Sequence, residues 1–369
     1  MRKAEVEVIE ARRVDDFIKF PLDLYSNDPF FVPQLNREMR AHFSQKNPFY
    51  QHAEIKYFIA LRNGKIAGRI AAFVNSRHNE FHREKTGFFG FFDCVDDSSV
   101  SDALYSKAVE FLRGKEMESM RGPMNFSTNE ECGILLEGFD EPPFIMMPYN
   151  RPYYSELSEK FGMKKIKDLY AYIYKVQDDM PEKVYRVAAI AEKRGLSVRP
   201  INMKRFKEDM MIFREVYHSA WQDNWGFIPM TEEELQYSAE RLKQIIVPEM
   251  TLIAEKDGVP VGFFGLVPDF NSVLQHMNGK LNPVTIAKAL YYSRKIKDLR
   301  VMLLGIRKEF RNKGVEALLY KHGWPPIKRG KYERVEFSWI LEDNIPVQRT
   351  IEIFGGRVYK KYRIYQISL

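Results

Sequence analysis

Val301-Met302-Leu303-Leu304-Gly305-Ile306-Arg307-Lys308-Glu309-Phe310-Arg311-Asn312-Lys313-Gly314-Val315-Glu316-Ala317-Leu318-Leu319 reads as an apolar strand, a basic turn and the opening of a helix. A glycine at such a turn lets backbone come close to a ligand with no Cβ in the way. The first-turn N–H groups have no partner inside the helix and, with the helix dipole, make an anion site. Arg311 and Lys313 add mobile positive charge beside it. The construction suits a pyrophosphate, although charge and glycine alone equally describe a basic surface turn. Gly305 shifts the balance, because glycine inside a strand is unfavourable unless it marks a bulge or a close backbone approach. A strand edge opened there can pair with an extended amide chain.

Arg311-Asn312-Lys313-Gly314-Val315-Glu316 follows the pattern Arg/Gln-x-x-Gly-x-Gly/Ala, and on it the chain resembles the GNAT superfamily of acyl-CoA N-acyltransferases. The resemblance continues through Ser338-Trp339-Ile340-Leu341-Glu342-Asp343-Asn344, where an Asn after the fifth strand opens a helix that ends near Gly355. It implies an acyl-CoA cosubstrate such as acetyl-CoA, no metal, and a primary amine acceptor on a small molecule or peptide. It also implies that backbone at Leu304, Gly305 and Ile306 pairs with pantetheine, that Arg311, Asn312, Lys313, Gly314, Val315 and Glu316 hold the pyrophosphate, and that Asn344 sits beside the cofactor. Two positions depart from the pattern. Glu316 stands where the family prefers Gly or Ala, and Ile351 stands where it often carries the Tyr that protonates the leaving thiolate. The full chain is similar to two-domain GNAT proteins of bacterial origin.

Outward from this segment the chain contains itself twice. Ile59-Ala60-Leu61-Arg62-Asn63-Gly64-Lys65-Ile66-Ala67-Gly68 matches Ile253-Ala254-Glu255-Lys256-Asp257-Gly258-Val259-Pro260-Val261-Gly262, each a hairpin with an Asn-Gly or Asp-Gly turn. Phe31-Val32-Pro33 echoes Phe227-Ile228-Pro229, and Phe161-Gly162 echoes Phe354-Gly355, in the same order and at nearly constant offset. The expected fold is therefore α/β, two tandem GNAT-like domains, each a mixed β-sheet flanked by helices. Residues 1–176 form a degenerate domain without the cofactor motif, 177–195 a connector helix, and 196–369 the domain with the acyl-CoA motif. In the second half, strands are expected at 197–201, 252–256, 261–266, 300–306, 334–340 and 358–367. Helices are expected at 203–221, 232–244, from 314 to 321 or beyond, and at 346–354. Each half carries its own insertion, residues 122–149 and 269–297. Aligning Val100 with Val315 places Asp96 opposite Arg311 and Ser99 opposite Gly314, and the carboxylates of Asp93, Asp96 and Asp97 would repel a pyrophosphate there.

Acyl transfer to an amine needs a neutral amine, a base if the amine is protonated, and stabilisation of the oxyanion. Glu342 and Asp343, past the fifth strand, and Asp223, between the first two helices, are the available carboxylates, each taken singly more readily a solvated loop acid or cap. Trp221, Trp225 and Phe227 form either an apolar or cation-binding wall of the acceptor cleft or a plug at a helix end. Cys94 and Cys132 have no His at useful spacing, which leaves direct attack by the amine with Glu342 as base. An aminoacyl-tRNA-dependent transferase and a non-catalytic CoA- or ligand-binding protein are the alternatives.

The chain has 369 residues, and at roughly 150 per domain this means two or three domains. Hydrophobic residues at 45% and charged residues at 29% exclude disorder and fibrous repeats. The 57 Lys plus Arg against 50 Asp plus Glu leave a net charge of +7, which favours an anionic ligand. The basic residues form no stripe with interleaved aromatics, which argues against nucleic acid. Two cysteines suit a reducing compartment. No apolar run approaches the roughly 20 residues of a membrane-spanning helix, and the charged start lacks a signal-peptide core. A cytoplasmic protein without a membrane partner is expected.

Overall fold

The computed structural model describes residues 5–177 and 179–369. The charged start at residues 1–4 and Asp178, part of the expected start signal of the connector helix, lie outside the described residues. In chain order the first part holds β1 (Val6–Glu10), α1 (Val14–Leu24), α2 (Asn36–His42), β2 (Ala53–Arg62), β3 (Lys65–Asn75), α3 (Ser76–His82), β4 (Thr86–Cys94) and α4 (Ser98–Arg113). Then come β5 (Ser119–Gly122), β6 (Ile134–Glu137), α5 (Tyr154–Lys160), β7 (Lys164–Lys175) and α6 (Glu182–Lys193). The rest holds β8 (Leu196–Pro200), α7 (Phe206–Trp221), α8 (Glu232–Leu242), β9 (Thr251–Lys256), β10 (Val259–Pro268), α9 (Asn271–Leu274) and α10 (Pro283–Ser293). It closes with β11 (Asp298–Ile306), α11 (Val315–Arg329), β12 (Arg334–Leu341), α12 (Ile345–Ile353) and β13 (Arg357–Ser368).

Two compact units are built from these pieces. One takes Met1–Tyr170, Asn271–Tyr291 and Lys360–Leu369; the other takes Ala171–Phe270 and Tyr292–Tyr359. The units interleave along the chain, whereas the sequence repeat divides it linearly. The insertion after β10 belongs with the first unit: Asn271 donates to the Pro143 carbonyl at 2.9 Å, and the Asn36 N–H donates to the Gly279 carbonyl at 2.9 Å.

The first unit is a mixed sheet in the order β1-β2-β3-β4-β5-β13, with β6 also on β13. Its strands run antiparallel except β4 and β5, which are parallel. Val100, Leu104, Ala108 and Leu112, at helical spacing on α4, are fully buried against Ile70 and Phe89. The second unit orders its sheet β12-β11-β10-β9-β8, parallel only between β11 and β12. Period-two alternation sends Leu252 and Ala254 of β9 to the core shared with α6 and α11, and Ile253 to the core shared with α7 and α8.

The repeat has a physical basis in each unit. Asn63-Gly64, with φ of 51° and 74°, and Asp257-Gly258, with φ of 50° and 79°, turn the two hairpins. Both central residues have positive φ, as the two-residue turn that matches strand twist requires. The repeated Gly68 and Gly262 let a helix come close to the sheet. A Cβ on Gly68 would lie 2.7 Å from Leu104 Cδ1 on α4, and one on Gly262 would lie 3.0 Å from Val315 Cγ1 on α11. Gly68→Val is therefore expected to cost about 1–3 kcal/mol through overpacking. Gly265→Ala, whose Cβ meets only Phe263 at 3.4 Å, is expected to stay within about 0.5 kcal/mol of wild type in urea denaturation.

Candidate active site

The second unit opens where β11 and β12 part. Among the described residues they pair only from Asp298↔Arg334 to Val301↔Phe337, yet both run on, to Ile306 and to Leu341. The other edge of β11 stays paired with β10 as far as Gly262↔Ile306, with the register shifted at Gly265/Leu266 opposite Met302. Leu304, Gly305 and Ile306 thus keep one edge in the sheet and turn the other toward the opening, where an amide chain can pair with it.

Past Ile306 a short turn leads to α11. Gly314 is its N-cap at φ 85°, and no side chain caps the first-turn amides. Those donors, at the positive end of a helix of 15 residues, remain available to an anion. The glycine's purpose differs from the expected one: a Cβ on Gly314 would point at α6, 3.1 Å from Val187 Cγ1 and 3.2 Å from Ala191 Cβ. Gly314 serves the left-handed backbone and the packing of α6. Arg311 is likewise less mobile than expected, because it donates to the Ala220 carbonyl near the end of α7 at 2.8 Å. Lys313 rests its ammonium 5.2 Å above the Phe310 ring. Asn312, at φ 59°, is exposed in the same turn, Val315 is buried in the core and Glu316 is half-buried. Burial, reinforced by the Glu316 carboxylate, pushes the Tyr320 hydroxyl well up, so Tyr320 stays protonated and is no base.

The expected acceptor wall divides. Trp221 lies directly over Gly305, where any Cβ would collide with its indole, so the strand glycine is explained by this ring. Phe227 is buried, 5.3 Å from the Tyr217 ring, as a core plug. Trp225 is half-buried in the same loop. Asp223 is exposed and ion-paired with Lys308 of the basic turn. Glu342 is half-buried after β12, its carbonyl accepting from Gln348 Nε2 at 3.0 Å. Asn344 is the N-cap residue of α12, with no side-chain capping bond. Ile351 is buried on α12.

One cluster was missed in sequence. Arg300 and Glu336 face each other across the last paired stretch of β11 and β12, 3% and 0% exposed. Their neighbours Leu299, Val301 and Val335 belong to the α11 core, so alternation turns both charges to the opposite face. Arg300 Nε donates to Ser338 Oγ at 2.9 Å, Ser338 Oγ donates to Glu336 Oε1 at 2.6 Å, and the Tyr359 hydroxyl donates to Glu336 Oε2. The Arg300 guanidinium stacks 5.4 Å from the Trp339 ring. The legible signal was a charge at an inward position of each central strand.

The first unit has the same divergence, but it is filled. Among the described residues, β4 and β5 pair only from Thr86↔Ser119 to Phe88↔Arg121. Beyond that the chain's own Met124 N–H donates to the Phe89 carbonyl at 2.8 Å, and Asn125 Oδ1 accepts from the Phe91 N–H at 2.8 Å. At the α4 N-terminus Asp97 Oδ1 accepts from the Ser99 N–H at 2.9 Å, while its carboxylate is ion-paired with Arg62. The residue registered like Gly305 is Asp93, fully buried, held by Arg69 at 2.8 Å and Tyr25 at 2.9 Å. Burial, then Asp93, pushes the neighbouring Cys94 thiol far up, which removes it as a nucleophile.

No profile of a protein family matches the chain. Protein YghO of Escherichia coli (strain K12) is 35% identical over 356 residues, covering 95% of this chain and 91% of that protein. Bacterial ceramide synthase of Caulobacter vibrioides (strain NA1000 / CB15N) is 33% identical over 361 residues, covering 96% and 94%. Among solved structures, a tandem GNAT protein from the clavulanic acid biosynthesis pathway matches with a TM-score of 0.58 at 13% identity over 99% of this chain and 98% of that one. A GCN5-related N-acetyltransferase from Sphaerobacter thermophilus matches with a TM-score of 0.54 at 13% identity, over 98% and 95%. With the split between β11 and β12 and the open α11 N-terminus, the solved structures show that the chain has the fold of GNAT proteins, and by its likeness to the two bacterial relatives it belongs to their family.

Proposed function

We propose that this chain is an acyl-CoA-dependent N-acyltransferase that passes the acyl group directly to a primary amine. The observation that carries the reading is the uncapped α11 N-terminus beside the open edge of β11. A pantetheine arm fits the edge at Leu304, Gly305 and Ile306, and a pyrophosphate fits the α11 amides with Arg311 and Lys313 at their mouth. Asn344 stands at the other lip. Bound acyl-CoA would supply the thioester that the amine attacks. The amine nitrogen bonds to the acyl carbon, the C–S bond breaks, and the thiolate leaves with a proton. A strand N–H around Ile306 holds the oxyanion. Glu342 accepts the ammonium proton, directly or through water, and Asp223, held by Lys308 at the rim, attracts the incoming cation. Glu336, locked by Ser338 and Tyr359, shapes the wall of the cleft and positions its neighbours.

The name of the Caulobacter relative supports a long-chain acceptor. A ceramide is an amide between a fatty acid and a long-chain amino alcohol, so a fatty acyl donor and an amine of that kind suit this family better than a small polar amine. Acetyl-CoA is the short donor against which to compare it.

One CoA site per chain is expected by calorimetry. Arg311→Glu should weaken it by about 1–3 kcal/mol, and two sites or an unchanged affinity would overturn the assignment. Initial rates with a long-chain amine should be sequential and should fall in Glu342→Gln. Ping-pong kinetics, or a labelled acyl group kept on the protein without acceptor, would exclude direct transfer. For the buried cluster, Glu336→Gln is expected to cost about 3–5 kcal/mol in chemical denaturation, because it leaves Arg300 buried and uncompensated. Arg300→Met with Glu336→Gln should recover part of that loss.

A further inference from the structure

Helix α10 is built inside out. The side it turns to the protein carries Thr285, buried, with Ala289, Tyr292 and Ser293 half-buried. The side it turns outward carries Val284 at 67% exposure, Ile286 at 46%, Leu290 at 61% and Tyr291 at 54%, with Leu281 just before it at 47%. On a helix of 3.6 residues per turn, residues 284, 287, 290 and 291 form one continuous stripe. A helix facing water has the opposite arrangement. The helix is also locked at its start: the Thr285 N–H donates to Asn282 Oδ1 at 3.0 Å, and the Asn282 N–H donates to Thr285 Oγ1 at 2.9 Å.

Along this segment the charge is of one sign. From Asn271 to Lys297 there is no Asp or Glu, while Lys280, Lys288, Arg294, Lys295 and Lys297 are basic. Exposed Leu and Val flanked by Lys and Arg, on a formed helix too short to span, is the composition of an interfacial helix. Two copies of such a face would repel each other, because it offers cations and no anion to pair with them.

We propose that α10 docks this chain on an anionic bilayer surface, with Leu281, Val284, Ile286, Leu290 and Tyr291 entering the headgroup region and Lys288, Arg294 and Lys295 meeting lipid phosphates. The inference goes beyond the reaction proposed above and stands whichever amine is acylated. It is compatible with the absence, among the described residues, of any helix long and apolar enough to cross a membrane.

The test is co-sedimentation of the full chain with vesicles of phosphatidylcholine alone and of phosphatidylcholine with phosphatidylglycerol. Wild type is expected to bind the anionic vesicles, to bind the neutral ones less, and to be released by salt. Val284→Asp with Leu290→Asp should lower the bound fraction by roughly tenfold or more. Should that variant misfold, amide hydrogen exchange on the wild type decides, since residues 281–291 should gain protection when anionic vesicles are added. Wild type remaining in the supernatant, a folded variant that binds equally, or unchanged exchange would overturn the proposal. So would sedimentation velocity showing a wild-type dimer that the α10 variant dissolves, which would assign the stripe to a second copy.

Discussion

Every backbone N–H and C=O that leaves a ladder must find another partner, and this one requirement organises both units. Two parallel strands part in each unit, after Phe88↔Arg121 and after Val301↔Phe337. In the first unit the chain answers from within: Met124 and the Asn125 amide return to β4, and the Met124 carbonyl leaves no room for a Cβ at Gly90. In the second, β11 continues with its edge unclaimed by β12. One split is closed by its own chain, and the other leaves the edge of β11 open, where the proposed pantetheine arm would pair.

The helix after each split follows the same logic. The α4 N-terminus carries Asp97 as its cap, a carboxylate that satisfies an amide and presents negative charge where a phosphate would need to sit. The α11 N-terminus has a glycine there instead and no capping side chain. Of the carboxylates noted in the first half, Asp97 occupies an amide donor at this terminus, which would exclude an anion more firmly than charge alone, since a screened charge still leaves the amide free.

Periodicity and turn chemistry made most of the fold readable. Asn63-Gly64 and Asp257-Gly258 demanded tight hairpins, and the structure has both. The second-half strands and helices fall within a few residues of their expected positions, and α11, expected to reach 321 or beyond, runs to Arg329 through Pro325 and Pro326. What could not be read was which atom a glycine makes room for. Gly305 and Gly314 announced close approaches correctly, but the partners are the Trp221 indole and α6, both far away in sequence. Arg300 and Glu336 escaped for the related reason that their pairing depends on strand register, which no local pattern states.

The two departures from ordinary patterning, charges inside and apolar side chains outside, require opposite physical accounts. A buried Arg300–Ser338–Glu336–Tyr359 cluster gains little net stability over well-packed hydrophobes, yet its directional bonds fix ring and guanidinium in one geometry at the mouth of the strand split. The α10 stripe lies mostly exposed, and apolar surface left in water is a standing cost. The first is explained by what it holds inside the fold; the second is the face that the proposed docking would cover. Since the segment from Asn271 to Lys297 carries cations and no acid, a surface apolar in depth and negative at its rim complements it, and a bilayer with anionic headgroups has those two properties together.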